Sequence, residues 1–311
     1  MILEAIHRRR CVPFLGAGVN VSTSDYQGLP LGGEVALRLL EELLGTEVPD
    51  IEELVQVKPG PLGVNYKDLV RLGLQDLARV ALHVQFTGDQ DHLMSRLQEI
   101  LPDEACKPSR LLHTLAGLPL LLVVTTNYDR LMERALEDTG QPRPLVVVQP
   151  TGGFSPKNHR SLQAELASHD GLVLYKIHGT FVDQATLAKL GGRPPPVIIS
   201  EEDYIQFLTV APVKNSGVPN LISAKMVDSV LLFLGYGLED WDFRTIYKVL
   251  IEKLPPHERR RSFAIQRNPS EFWARYWASK NVTIYDLDLY DFAAELEERY
   301  RNYPDPEGGQ K

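Results

Sequence analysis

The sequence predicts an α/β protein: a mostly parallel sheet covered by helices on both faces, with a helical module inserted into it. Three observations carry that expectation. Short apolar runs recur along the chain with almost no polar interruption, as strands buried on both faces require. They alternate with stretches of helical periodicity. Between about residues 50 and 118 the strand signal vanishes while the helical one persists.

"ILEAIHRRR" has apolar residues at 2, 3 and 6, enough for one short amphipathic helix. "CVPFLGAG" is a strand running into a glycine turn, and "EVALRLLEELLG" (34–45) is a helix stopped by Gly45. The inserted module spans about 46–118, where "YKDLVRLGLQDLARVALHV" and "QDHLMSRLQEIL" repeat apolar residues every three or four positions. Strands resume at "LLLVVTTN", followed by the helix "YDRLMERALEDTG" ending at Gly140. Further strands are "LVVVQ" (145–149), "LVLYKIHG" (172–179), "PVIIS" (196–200), "SVLLFLGYG" (229–237), "RSFAIQ" (261–266) and "VTIYDLD" (282–288). Helices fit 201–209, 217–228, 240–253, 269–279 and 290–301. "RPPP" (193–196) reads as a turn or rigid spacer and "DPEGGQK" as a frayed tail.

A chain of 311 residues can bury a core as one large domain or two smaller ones. With 33 basic against 41 acidic residues, the net charge of −8 disfavours a whole-surface affinity for nucleic acid, so no direct nucleic-acid binding is expected. The apolar runs are too short to span a bilayer, and "MILEAIHRRR" lacks the apolar core of a secretory signal. The expected compartment is the cytoplasm, without membrane attachment. Two cysteines, Cys11 and Cys106, rule out a four-cysteine zinc module.

Ligands of parallel sheets bind outside the carboxyl ends of the strands, and four predicted strand ends carry unusual residues. "GAG" (Gly16, Ala17, Gly18) is a phosphate-cradling turn or an ordinary tight turn. The dehydrogenase fingerprint wants a third glycine where Val21 stands, which disfavours hydride transfer. In "VTTNYD", one of Asn127 and Asp129 caps the next helix and the other is free to face a ligand. His178 closes "LVLYKIHG" before Gly179; it is either a satisfied structural histidine or a ring whose near-neutral pKa suits acid–base work. "GYGLEDWD" is a second backbone nest at Gly235 and Gly237, or a turn in which Asp240 caps the following helix. The basic stretches "HRRR" (7–10) and "HERRR" (257–261) read as solvated loops.

In this order, "GAGVN", "TTNYD", "KIHG" and "GYG" resemble the sirtuin-type NAD-binding domain, closer to bacterial sirtuin-like NAD-consuming proteins than to protein deacylases. The resemblance implies a Rossmann-like, doubly wound sheet in a single domain over 1–311, with a small zinc-free module at about 180–228. It implies NAD as substrate, contacted by Gly16, Ala17, Gly18, Asn20, Thr126, Gly235, Gly237 and Asp240, with Asn127, His178 and Asp129 as catalytic residues and no metal. Two departures stand out: residues 180–228 contain no cysteine, and Gly237 replaces the family's hydroxyl residue. Without the zinc module the implied acceptor is water, and the implied activity is NAD hydrolysis to nicotinamide and ADP-ribose. The same resemblance implies a role in antiphage defence by NAD depletion, gated by homo-oligomerisation or by a HerA-type hexameric ATPase partner. The alternatives are an ADP-ribosyltransferase or protein deacylase, and a non-catalytic module that senses NAD or ADP-ribose.

Overall fold

The computed structural model describes residues 1–44, 76–88, 90–150, 152–192, 194–213, 217–252 and 260–304. The start of the predicted insertion, most of "HERRR" and the tail "DPEGGQK" lie outside them.

Seven strands form one sheet: β1 (Cys11–Leu15), β2 (Leu122–Thr125), β3 (Leu145–Val148), β4 (Val173–Lys176), β5 (Val230–Leu234), β6 (Ser262–Ile265) and β7 (Val282–Tyr285). Their order is β3-β4-β2-β1-β5-β6-β7, and every pairing is parallel. Alternate side chains feed two cores. Val12, Phe14, Val124, Tyr175 and Phe233 enter one, while Cys11, Leu15, Val123, Leu174 and Leu234 enter the other. The central strands are therefore apolar on both faces, which is why their sequences read as continuous runs. Each such Leu, Val or Phe contributes about 1.5–3 kcal/mol on burial. The sheet is covered on both faces, a Rossmann-like doubly wound arrangement.

Among the described residues the helices are α1 (Ile2–His7), α2 (Gly32–Leu44), α3 (Leu77–Thr87), α4 (Gln90–Ile100), α5 (Arg110–Ala116), α6 (Leu131–Asp138), α7 (Pro156–Ser168), α8 (Gln184–Lys189), α9 (Glu201–Val210), α10 (Asn220–Val227), α11 (Trp241–Leu250), α12 (Glu271–Ser279) and α13 (Leu289–Arg301). None is long and apolar enough to cross a membrane. Helices α2, α3 and α4 share a third core, built from Val35, Leu39, Val80, Val84, Leu93 and Leu97. Helix α5, read from the sequence as part of the inserted module, instead packs with α6 and α13 over the sheet.

Three sequence expectations need correction. "PVIIS" is not a strand. Its side chains split between cores, with Val197 and Ile199 entering the helical module and Ile198 the sheet core, so an apolar run arises without ladder pairing. The helix expected from Tyr128 starts at Leu131, because the preceding residues form a turn. Helix α7 was not anticipated. It is mostly exposed and starts from Ser155, whose hydroxyl accepts from Asn158 N, with Pro156 in the first turn.

Candidate functional site at the carboxyl ends of the central strands

From β1 the chain builds β2, β3 and β4 on one side, then crosses to build β5, β6 and β7 on the other. That reversal opens a crevice beyond the ends of β1, β2 and β5, the place where open parallel sheets bind ligands.

The two glycine loops at this point pack backbone to backbone. Gly16 N donates to Leu234 O and Gly18 N to Gly235 O, each at 2.9 Å. A Cβ on Gly16 would stand 2.6 Å from Gly235 O, and one on Gly235 (φ +75°) would stand 2.5 Å from Val19 N. Side chains are thus excluded at Gly16 and Gly235 by the mutual contact of the two loops. Of the three residues expected to line phosphates, Gly16 and Gly18 use their N–H groups on the β5 end. Ala17 stands exposed at the start of a 3-10 turn, Ala17–Asn20.

The end of β2 is fastened to the same turn. Thr126 N and Thr125 Oγ1 donate to Leu15 O at 3.1 and 3.0 Å, and Thr125 Oγ1 accepts from Asn127 N at 3.0 Å. Asn127 Nδ2 donates to Gly16 O at 3.1 Å, which turns its amide oxygen outward from that bond. Tyr236, between the two late glycines, donates its hydroxyl to Leu15 O at 3.0 Å and lies 3.3 Å from Thr126 Oγ1.

Asp129 ties the turn to the start of α6 from one residue outside the N-cap Arg130: its Oδ1 accepts from Leu131 N and its Oδ2 from Asn20 Nδ2, each at 3.0 Å. Asn20, Thr125, Asn127, Asp129 and Glu133 line a cavity of about 10 Å³. Asn20 Oδ1 and Glu133 Oε2 are buried and have no hydrogen-bond partner among the described residues. Burial pushes the Asp129 carboxyl up to about 6, against the opposing pull of the Lys176 ammonium and the Leu131 N–H.

His178 lies two residues beyond β4 and is 2% exposed. Its ring meets Tyr204 and Phe207 edge-on, at 5.1 and 6.2 Å between centroids. Burial lowers the imidazole to about 3, which corrects the expected near-neutral titration: the ring is neutral at physiological pH. Its Nε2 is buried without a hydrogen-bond partner among the described residues. His178 O accepts from Ile198 N at 2.9 Å, and Tyr128 OH donates to Ile198 O at 2.8 Å. Ile198 therefore bridges His178 and the residue after Asn127. Gly237 and Asp240 stand together, a Cβ on Gly237 falling 2.5 Å from Asp240 Oδ2. Asp240 occupies the N-cap position of α11, as the cap reading of this loop expects. The next residue, Trp241, meets Tyr204 at 5.4 Å, so two aromatic rings link the late loop to His178.

The site therefore falls into two groups. Gly16, Gly18, Thr126, Asn127 and Gly235 form one connected unit, with Asn20 and Asp129 on its cavity side. His178 sits with the aromatic rings, and no direct hydrogen bond joins it to Asn127 among the described residues. Sequence reading missed Tyr236, Thr125 and Lys176. The signals were present: a tyrosine between two glycines, a hydroxyl at a strand end, and a lysine closing an apolar strand.

A family model described as a SIR2-like domain matches residues 121–285. The chain is 29% identical to NAD(+) hydrolase ThsA of Acinetobacter baumannii over 187 residues, covering 57% of this chain and 34% of that protein. It is 24% identical to Defense-associated sirtuin 2 of Bacillus subtilis over 293 residues, covering 92% of this chain and 24% of that protein. The chain thus spans only about a third and a quarter of these relatives' lengths. A solved structure described as "Sir2 bound to acetylated peptide" aligns at 13% identity with a TM-score of 0.44, over 96% of both chains.

Proposed function

Because the chain belongs to the SIR2-like domain family, we propose that it is an NAD hydrolase. It cleaves the nicotinamide N-glycosidic bond to give nicotinamide and ADP-ribose. The observation that carries this reading is the hydrogen bond from Asn127 to Gly16 O. It holds a polar amide at the crevice mouth with its oxygen available to a hydroxyl or a water. The names of the two relatives, an NAD(+) hydrolase and a defence-associated sirtuin, support it.

In this reading the bond between the ribose anomeric carbon and the nicotinamide nitrogen breaks, and its electron pair leaves with neutral nicotinamide. The ribose gains oxocarbenium character, and a water oxygen bonds to the same carbon. Asn127 orients the ribose hydroxyls or that water. His178, kept neutral by burial, accepts the proton released as the water or a ribose hydroxyl is activated. Asp129 fixes the turn that presents Asn127, and Ala17, Thr126 and the Gly235–Gly237 loop face the nucleotide. The biological role is antiphage NAD depletion, gated by self-assembly or by a partner ATPase.

The test is incubation of the chain with NAD, alone and with the product of its genomic neighbour, followed by mass spectrometry. Equal yields of nicotinamide and free ADP-ribose are expected. Transfer of ADP-ribose to protein, or NAD binding with no nicotinamide release in any assembly, would overturn the reading.

A further inference from the structure

Lys176 is the last residue of β4 and is fully buried. Its ammonium donates to three oxygens: the carbonyls of Tyr128 (3.4 Å) and Asp129 (2.5 Å), and Glu133 Oε1 (3.1 Å) on α6. Those carbonyls belong to consecutive residues of the turn that immediately follows Asn127. A lysine ammonium has three protons, and here each meets one oxygen. Burying such a charge is costly even when it is paired, and an apolar pair of similar volume is often as stable. Stability of the sheet therefore does not by itself account for a lysine here. What an apolar residue cannot do is hold two successive carbonyls of a turn in one orientation.

We infer that Lys176, with Glu133 as its counter-ion, is a positioning residue that locks the Tyr128–Asp129 turn and so fixes Asn127 against Gly16. The link is short and continuous. Lys176 grips the turn from β4, Asn127 Nδ2 reaches Gly16 O across it, and Asp129 ties its far side to Leu131 N and Asn20. The adjoining segment is held from the same turn, since Phe181 N donates to Tyr128 O at 2.8 Å. Lys176 thus sets the turn between the two residues of the proposed chemistry, Asn127 and His178. Its consequence for turnover rests on the NAD-hydrolase reading, whereas its grip on the turn does not.

The test compares the full-length wild type, Lys176→Met and the double variant Lys176→Met/Glu133→Leu. The single variant leaves Glu133 buried without its cation, and its Tm falls. In the double variant Tm returns to near the wild-type value. NAD turnover, measured in whichever assembly the wild type is active, stays at least ten-fold down in kcat with KM within about three-fold. Amide hydrogen exchange on the same proteins reads the turn directly: residues 126–131 lose protection in the double variant while β2 and β4 keep theirs. If the double variant recovers both Tm and kcat, or if exchange at 126–131 is unchanged, Lys176 is merely structural and the inference is overturned. Should the wild type release no nicotinamide, the hydrolase reading falls, and exchange alone decides whether Lys176 holds the turn.

Discussion

The side-chain amide of Asn127 donates to the carbonyl of Gly16 at 3.1 Å, joining the polar end of β2 to the glycine turn after β1. Asn127→Ala removes that donor. Gly16 O keeps its bond from Val19 N at 3.2 Å, so the expected stability loss is that of one hydrogen bond, about 0.5–1.5 kcal/mol. The expected loss of nicotinamide release is about 100-fold or more, as for other single donors placed at a reacting group. Urea denaturation and an NAD assay on the same preparation separate the two effects. Wild-type turnover in a folded Asn127→Ala protein removes Asn127 from the chemistry.

The glycine loops make a sharper structural prediction. Gly235→Ala forces a Cβ to 2.5 Å from Val19 N and 2.9 Å from Gly16 O, both backbone atoms, at a φ of +75°. It can fit only if the β1 and β5 loops separate, and a loss above about 3 kcal/mol is expected. Gly140 has a similar φ of +69° but nothing within 4 Å of its Cβ position. Gly140→Ala should lose only about 1–2 kcal/mol, for backbone conformation alone. Equal urea midpoints for the two variants would refute the close-packing argument.

Stability should depend on pH through two buried groups acting in opposite directions. The His178 imidazole is lowered from 6.5 to about 3, so between those values the unfolded chain binds the extra proton. Its stabilising contribution is complete above pH 6.5 and is lost as pH falls toward 3. The Asp129 carboxyl is raised from 3.8 to about 6, so the folded chain keeps the proton longer. Its contribution is complete below pH 3.8 and is lost as pH rises through about 6. His178→Gln should therefore raise the Tm at pH 4.5 relative to that at pH 8, and Asp129→Asn should do the reverse. Melting curves at the two pH values check both signs, and a wild-type profile in both variants would show that neither group titrates as its burial dictates.

Neutral His178 also bears on catalysis. In the proposed role its removal by His178→Ala should cut NAD hydrolysis by about 100- to 10,000-fold. The acid limb of the kcat/KM profile should not fall near pH 6.5, because burial places the imidazole pKa at about 3. An acid limb at 6.5 that disappears in His178→Gln would mean the ring titrates as an exposed histidine.

Tyr236 separates packing from hydrogen bonding. Its hydroxyl shares Leu15 O with Thr126 N and Thr125 Oγ1, so Tyr236→Phe should lose about 1 kcal/mol or less. Its ring lies against Gly16 and meets Phe243 at 4.9 Å, so Tyr236→Ala should lose about 3 kcal/mol. Denaturant midpoints for the pair check the ordering, which fails if Tyr236→Phe is the more damaging change.

Most of the architecture is legible in the sequence because burial on both faces leaves a local trace. Runs such as Leu122–Val124 and Leu231–Leu234 cannot be amphipathic, and helices such as α6 keep their apolar residues three and four apart. The exception is instructive. Residues 197–199 carry the same trace as a strand, yet their burial is divided between two cores instead of the two faces of one sheet. An apolar run records that both sides are covered and not what covers them. Exposed α7 was missed for the complementary reason: only His159 and Leu166 of its 13 residues are buried.

The sequence by itself determined the strands, most helices and the polar residues gathered at the strand ends. Each of these follows from side-chain type and spacing within a few residues. Tertiary structure alone decided the roles. Asp129 accepts from the first N–H of α6 and Asn127 reaches Gly16; Asn20 meets Asp129 across 109 positions of chain; Lys176 is buried under the turn; and His178 is held neutral among Tyr204 and Phe207. A polar group's partner and the dielectric around it are set by atoms distant in sequence, so they exist only once the chain has folded.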